Sequence, residues 1–141
     1  MNINTFRAEF TDLLAGEDWK IVRIVNTTVN KMRNTAALNY MSQAEVIKFS
    51  IVGISDRHRC AYCAALNGKT FDVAYAVERI TEVENVAPEM VKAASPFITS
   101  KQVNLSPEDL KRMTEAEIQA KAGGAYPPFH GSCRCQAVAS I

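Results

Sequence analysis

No stretch of this sequence approaches the 18 or so consecutive apolar residues that a membrane-spanning helix requires. The first 19 residues also lack the unbroken apolar core of a secretory signal, because Arg7, Glu9, Asp12, Glu17 and Asp18 interrupt them. Charge of one sign is missing as well. The 16 Lys and Arg are matched by 15 Asp and Glu, so no overall field draws the chain towards nucleic acid or anionic lipid, and any such contact has to be local. With 6 glycines and 5 prolines the chain is neither collagen-like nor of low complexity. Its 48% hydrophobic and 22% charged residues instead make a composition that folds around a core. At 141 residues there is room for one such core, burying about 68–70% of the unfolded surface, and two full domains do not fit.

Cysteine and histidine are sparse, but they are not scattered. The four cysteines fall far below the density of a disulfide scaffold, and without a secretory signal the expected compartment is reducing, where thiolates hold metal. All four lie in two clusters, Cys60-x-x-Cys63 and His130-x-x-Cys133-x-Cys135, and the second takes one of only two histidines. Zinc takes four tetrahedral donors drawn from thiolate and imidazole, and a Cys-x-x-Cys turn brings two sulfurs to one centre. Five candidates thus compete for four positions. If Cys133 and Cys135 lie in extended backbone their side chains share a face, which gives four thiolates with His130 outside. If His130 and Cys133 span a turn, three thiolates and one imidazole result. The sequence leaves both open. Either way, one structural zinc ion is expected to tie the C-terminal arm to the centre of the chain across residues 64–129. Peptide-scale zinc sites contribute about 10–16 kcal/mol against net domain stabilities of about 5–15 kcal/mol, so removal of the metal is expected to unfold the domain.

Around these clusters the periodicity is mixed. Val22, Val25, Val29, Met32, Ala36 and Tyr40 recur at spacings of three and four, which predicts one apolar stripe of a helix over about 17–44, with Arg23, Asn30, Lys31 and Asn34 opposite. Ile47, Phe49 and Ile51 alternate within 46–54, predicting a strand that runs directly into Cys60. Asn67-Gly68 predicts a type I′ turn and a short return strand, so hook and turn are expected to form one β-knuckle. Helical patches follow at 73–80 and 88–94, before Ser95-Pro96. Ser106-Pro107-Glu108-Asp109 reads as an N-cap, a proline at N1 and an acidic first turn, and Thr114 with Glu117 repeats that logic before Gly123-Gly124. The prolines of Tyr126-Pro127-Pro128-Phe129 predict an extended or turning arm that positions His130. The fold class is therefore a small α+β single domain over 1–141. A helical N-terminal segment over 1–45 precedes a module over 46–141 with a short β-hairpin or knuckle and C-terminal helices, closed by the zinc site.

Other chemistries fit less well. A zinc deaminase needs His-x-Glu ahead of its Cys-x-x-Cys, and the sequence has none. A thioredoxin-like pair needs a strand-to-helix junction, which the expected knuckle does not supply. Trp19, Tyr62, Phe71, Tyr126 and Phe129 read as core packing rather than base-stacking platforms. Arg57, His58 and Arg59, extended by Lys69 and Arg134, form the one local patch that can meet a phosphate backbone, although short basic runs beside turns are commonly just solvated.

The run from Asp56-Arg57-His58-Arg59-Cys60-Ala61-Tyr62-Cys63 to Leu66-Asn67-Gly68-Lys69, with the later Pro127-Pro128-Phe129-His130-Gly131-Ser132-Cys133-Arg134-Cys135, resembles the phage Mu F-like head morphogenesis family. The likeness spans about 20–138, with its specificity in the two clusters and the Asn-Gly turn. It implies a minor head protein of a tailed phage or prophage, located in the virion and in host cytoplasm during assembly. The implied partners are portal and major capsid proteins, and no membrane, small-molecule substrate or catalytic residue is implied. The family's metal positions correspond to Cys60, Cys63, His130, Cys133 and Cys135, and the positions framing the hook to Asp56 and Gly68. Gly131-Ser132 departs from the Pro-Asn frequent in the family, and members are usually longer, with a helical region that docks to other head components. A toxin-associated module and a stand-alone zinc-dependent nucleic-acid binder are the rival readings.

Overall fold

The computed structural model describes residues 3, 4 and 18–140. Most of the expected helical segment before residue 18, including its first predicted turn at 17, lies outside the described residues. From there the chain forms helix α1 (Asp18–Gln43), strand β1 (Lys48–Val52), helix α2 (Ala61–Leu66), strand β2 (Thr70–Asp72) and helix α3 (Val73–Glu84). A 3₁₀ turn (Pro88–Met90) leads into α4 (Val91–Ala94), followed by α5 (Pro107–Arg112), α6 (Glu115–Ala120) and strand β3 (Gln136–Ala139). The α+β class holds, with a three-stranded antiparallel sheet in the order β2-β1-β3.

The sheet pairs β1, which precedes the hook, with β3, which follows the C-terminal arm. Phe49 of β1 pairs with Phe71 of β2 and with Ala139 of β3, and Ile51 pairs with Ala137. Phe49 and Ile51 are fully buried as the alternation predicts, but Ile47, placed on the same face from sequence, is 74% exposed because it precedes the strand. Phe71 stands edge-on to both Phe49 and Phe129, with centroids 5.9 and 6.3 Å apart. Edge-on aromatic packing of this kind adds about 0.5–1.5 kcal/mol to area burial. It also fixes Phe129, and hence the following His130, against the sheet. Trp19, in contrast, is 64% exposed rather than core.

Three local expectations are corrected. The Cys60–Cys63 hook is not a β-knuckle: Cys60 is the N-cap of α2, and its sulfur accepts the Cys63 N–H at 3.3 Å. The Cys-x-x-Cys pair therefore does sit at a helix N-terminus, after a loop that separates it from β1. The Asn67-Gly68 turn is not type I′ either. Asn67 at φ −60° and ψ 129°, Gly68 at φ +83°, and the Lys69 N–H to Leu66 carbonyl bond are those of a type II turn, where glycine supplies the positive φ. The turn follows a helix rather than a strand, so hairpin geometry does not apply. Finally, no strand is expected from the sequence after the C-terminal arm, yet β3 brings the segment after Cys135 onto β1.

The capping expectations hold. Ser106 with Asp109, and Thr114 with Glu117, make reciprocal capping boxes, which split the region into two short helices. These hydrogen bonds, first from the Ser106 and Thr114 backbone and then from their hydroxyls, hold the Asp109 and Glu117 carboxyls below their ordinary range. Helix α6 then covers the outer edge of β2. Gln119 accepts the Asp72 N–H at 3.0 Å and donates to the Asp72 carbonyl at 2.8 Å, and Glu115 accepts the Thr70 N–H. An edge strand satisfied in this way offers no free row of donors to a second sheet.

Candidate metal centre

The two clusters meet. His130 Nε2 lies 3.1 Å from Cys60 Sγ and 3.2 Å from Cys63 Sγ, and Cys63 Sγ lies 4.0 Å from Cys133 Sγ. The donors form two overlapping triads, Cys60-Cys63-His130 and Cys63-Cys133-Cys135, each with its ligand atoms within 4.8 Å of one another. Zinc bond lengths imply tetrahedral edges of about 3.7 Å between sulfurs and about 3.5 Å between sulfur and nitrogen, close to these separations. Such clusters can hold a metal ion. All four cysteines are free of disulfides, Cys63, Cys133 and Cys135 are buried, and Cys60 is half-buried.

His130 is oriented for the centre. Its Nδ1 lies 2.8 Å from the Gly131 carbonyl, so Nδ1–H donates there and Nε2 faces the thiols with its lone pair, the arrangement that metal-binding imidazoles use. The His130 carbonyl accepts the Cys133 N–H at 3.2 Å, which makes the turn that folds Cys133 back towards Cys63. Ser132 sustains this turn at φ +59°.

The sulfurs are electrostatically strained as a group. Hydrogen bonding from the Cys135 and then the Cys63 thiol favours a thiolate at Cys133 and lowers its pKa. That same thiolate raises the pKa of Cys63 far beyond the thiol range and that of Cys135 to about 12. One negative charge thus opposes the next, a conflict of the kind that a bound cation relieves.

What sequence reasoning missed is the part played by α1. Asn30, expected on the outer face, is buried, and its Nδ2 donates to the carbonyls of Cys133 at 2.8 Å and Cys135 at 3.1 Å. Asn34, 1% exposed, donates to the Cys135 carbonyl at 3.2 Å and accepts the Ala137 N–H at 2.8 Å. One turn earlier Thr27 Oγ1 accepts the Ser132 N–H at 2.9 Å, and the Arg23 guanidinium packs on Gly131. Arg23, Thr27, Asn30 and Asn34 therefore form a polar stripe of spacing 4-3-4 that grips the chain from Gly131 to Ala137. The apolar stripe read from the periodicity points largely outward, with Met32 67% and Tyr40 73% exposed. Only Val25 of that set is buried, and Ile21, Leu38 and Met41 supply the other buried apolar contacts of the helix. The signal was present in the regular Thr and Asn spacing, but polar side chains bonded to backbone look like solvated ones in a sequence.

The local basic patch is partly committed. Arg134 makes a two-pronged pair with Asp56 at 2.7 and 2.8 Å, and this hydrogen bonding holds the Asp56 carboxyl well below the usual range. Arg59 reaches Ser55 Oγ and the Ala64 carbonyl, and Arg57 Nε lies 3.2 Å from His58 Nε2. Tyr62 is half-buried beside His130, 6.2 Å between ring centroids. No helix among the described residues is long and apolar enough to cross a membrane. Comparison with protein-family models, curated proteins and solved structures found no match to this chain.

Proposed function

We propose that this chain is a structural protein stapled by one zinc ion on Cys60, Cys63, His130 and Cys133. The observation that carries the reading is the placement of His130 Nε2 at 3.1 and 3.2 Å from thiols 70 and 67 positions away, with Nδ1 already engaged. A thiolate-imidazole set suits zinc rather than magnesium or calcium, which take oxygen donors. Cys133 completes the set because its sulfur stands near a tetrahedral edge length from Cys63. Cys135, whose sulfur lies within 4.8 Å of the Cys63 and Cys133 sulfurs, is left as a neighbouring buried thiol, 3.6 Å from the position that a Cβ on Gly53 would take. Four protein donors fill a tetrahedral ion, so the role assigned to it is structural and not enzymatic.

Within that reading the biological setting comes from the motif resemblance. The chain is a minor head protein of a tailed phage or prophage, carried in the virion near the portal, with portal and major capsid proteins as partners. The centre would keep the C-terminal arm locked to the β1-α2 unit through assembly. Metal analysis of the purified chain tests the first claim, with about one zinc per chain expected. Proteomics of intact particles tests the second, and a chain found only in host cytosol would overturn the virion assignment without touching the metal centre.

A further inference from the structure

Beside the metal centre, α1, α3, α4, the loop between α4 and α5 and the loop after α6 line a cavity of about 300 Å³. That size is at the lower end of small-molecule sites, which are mostly apolar with a few convergent polar groups. Its apolar wall is made by Val91, Pro96, Phe97, Ala125 and Pro128. Three cations join the lining from three different helices: Lys31 of α1, Arg79 of α3 and Lys92 of α4. No carboxylate lines it. Glu82, tied to Arg79, and Glu84, which acts on Tyr126 through space, stand outside the lining. Arg79 also bonds the Ala94 carbonyl, whereas Lys31 and Lys92 have no ion-pair partner among the described residues. A further group lacks a partner: Ser100 lines the same cavity, and its Oγ is buried without a hydrogen bond. Buried polar atoms left unpaired in a native fold are few and call for a specific cause.

We propose that this cavity binds a small organic anion, an apolar body carrying one carboxylate or phosphate. The apolar wall takes the body, and Lys31 of α1 and Lys92 of α4 bring positive charge to the lining from two separate helices. The cations come from separate elements that only the folded domain brings together, so recognition requires the intact fold.

The test uses the full chain as purified, isotope-labelled, titrated with octanoate and in parallel with octan-1-ol and octylammonium. Octanoate is expected to bind with Kd of about 1 mM or tighter, shifting the amides of Lys92, Ser100, Gly123 and Ala125. Octan-1-ol binds more weakly, and octylammonium leaves those amides in place. Replacing both lysines, Lys31→Gln with Lys92→Gln, is expected to weaken octanoate by about tenfold, as two rim ion pairs allow. The same double variant leaves the octan-1-ol affinity unchanged, which separates lost charge recognition from damage to the fold. Equal affinity for octanoate and octan-1-ol would overturn the proposal. So would shifts confined to the metal loop or the outer face of α1, or no saturable shift below about 10 mM.

Discussion

Replacing Asn34 by alanine is the sharpest perturbation of the link between α1 and the ligand loop. Asn34 is 1% exposed, donates to the Cys135 and Asn30 carbonyls and accepts the Ala137 N–H. The Cys135 carbonyl retains Asn30 as a donor, so its loss is partial. The Ala137 N–H is left buried and unpaired at about 1–3 kcal/mol, and the lost hydrogen bonds add about 1 kcal/mol, for a total near 3 kcal/mol. In a domain of this size that corresponds to a fall in Tm of about 10 °C. Because the asparagine holds the backbone that carries Cys133 and Cys135, metal affinity should fall with stability, by about tenfold to a hundredfold as outer partners of a metal site do. Calorimetry of the metal-loaded protein and competition with a chromogenic chelator read the two effects. Met32→Ala is the control, expected within about 0.5 kcal/mol of the parent because the side chain is exposed. Asn34→Asp keeps the acceptor for Ala137 but aims a carboxylate oxygen at two carbonyls, so it should lose at least as much. An Asn34→Ala protein matching the parent in both melting and metal affinity would refute the clamp.

The ligand assignment predicts that Cys133→Ser abolishes stoichiometric metal binding while Cys135→Ser retains it, read by native mass spectrometry. Gly123 adopts φ +71°, and a Cβ there would collide with the Pro96 carbonyl, so Gly123→Ala should destabilise by about 2 kcal/mol or more in urea titration. The depressed Asp109 carboxyl contributes stability that is present above its unfolded value of 3.8 and is lost as pH falls through the lower folded value. Asp109→Asn should therefore flatten the dependence of the urea midpoint on pH between about 5 and 2 while lowering the midpoint at neutral pH.

The sequence announced those parts of the molecule that depend on short-range chemistry. Ser106, Thr114 and their acidic partners three residues on are self-contained motifs, and the structure shows both boxes. The thiol and imidazole clusters were visible because their spacing limits which side chains can converge. Helix α1 was located well, but its buried face was not, because Asn30 and Asn34 are polar and lie inside to bond carbonyls from more than 100 positions away. Strand β3 escaped for a similar reason: four residues with one buried side chain, Ala137, carry little periodicity, and only pairing with β1 defines them. Asn67-Gly68 marked a turn correctly but not its type, since the preceding α2 sets the entry of the chain.

The proposed zinc staple requires residues 60, 63, 130 and 133 to share one ion. X-ray absorption at the zinc edge on the purified full chain, with its metal-to-protein ratio, tests it most directly. One zinc per chain is expected, with about three sulfurs at about 2.3 Å and one nitrogen at about 2.0–2.1 Å. A chain that purifies without metal, takes up none, and melts at the same temperature with and without a strong chelator would contradict it.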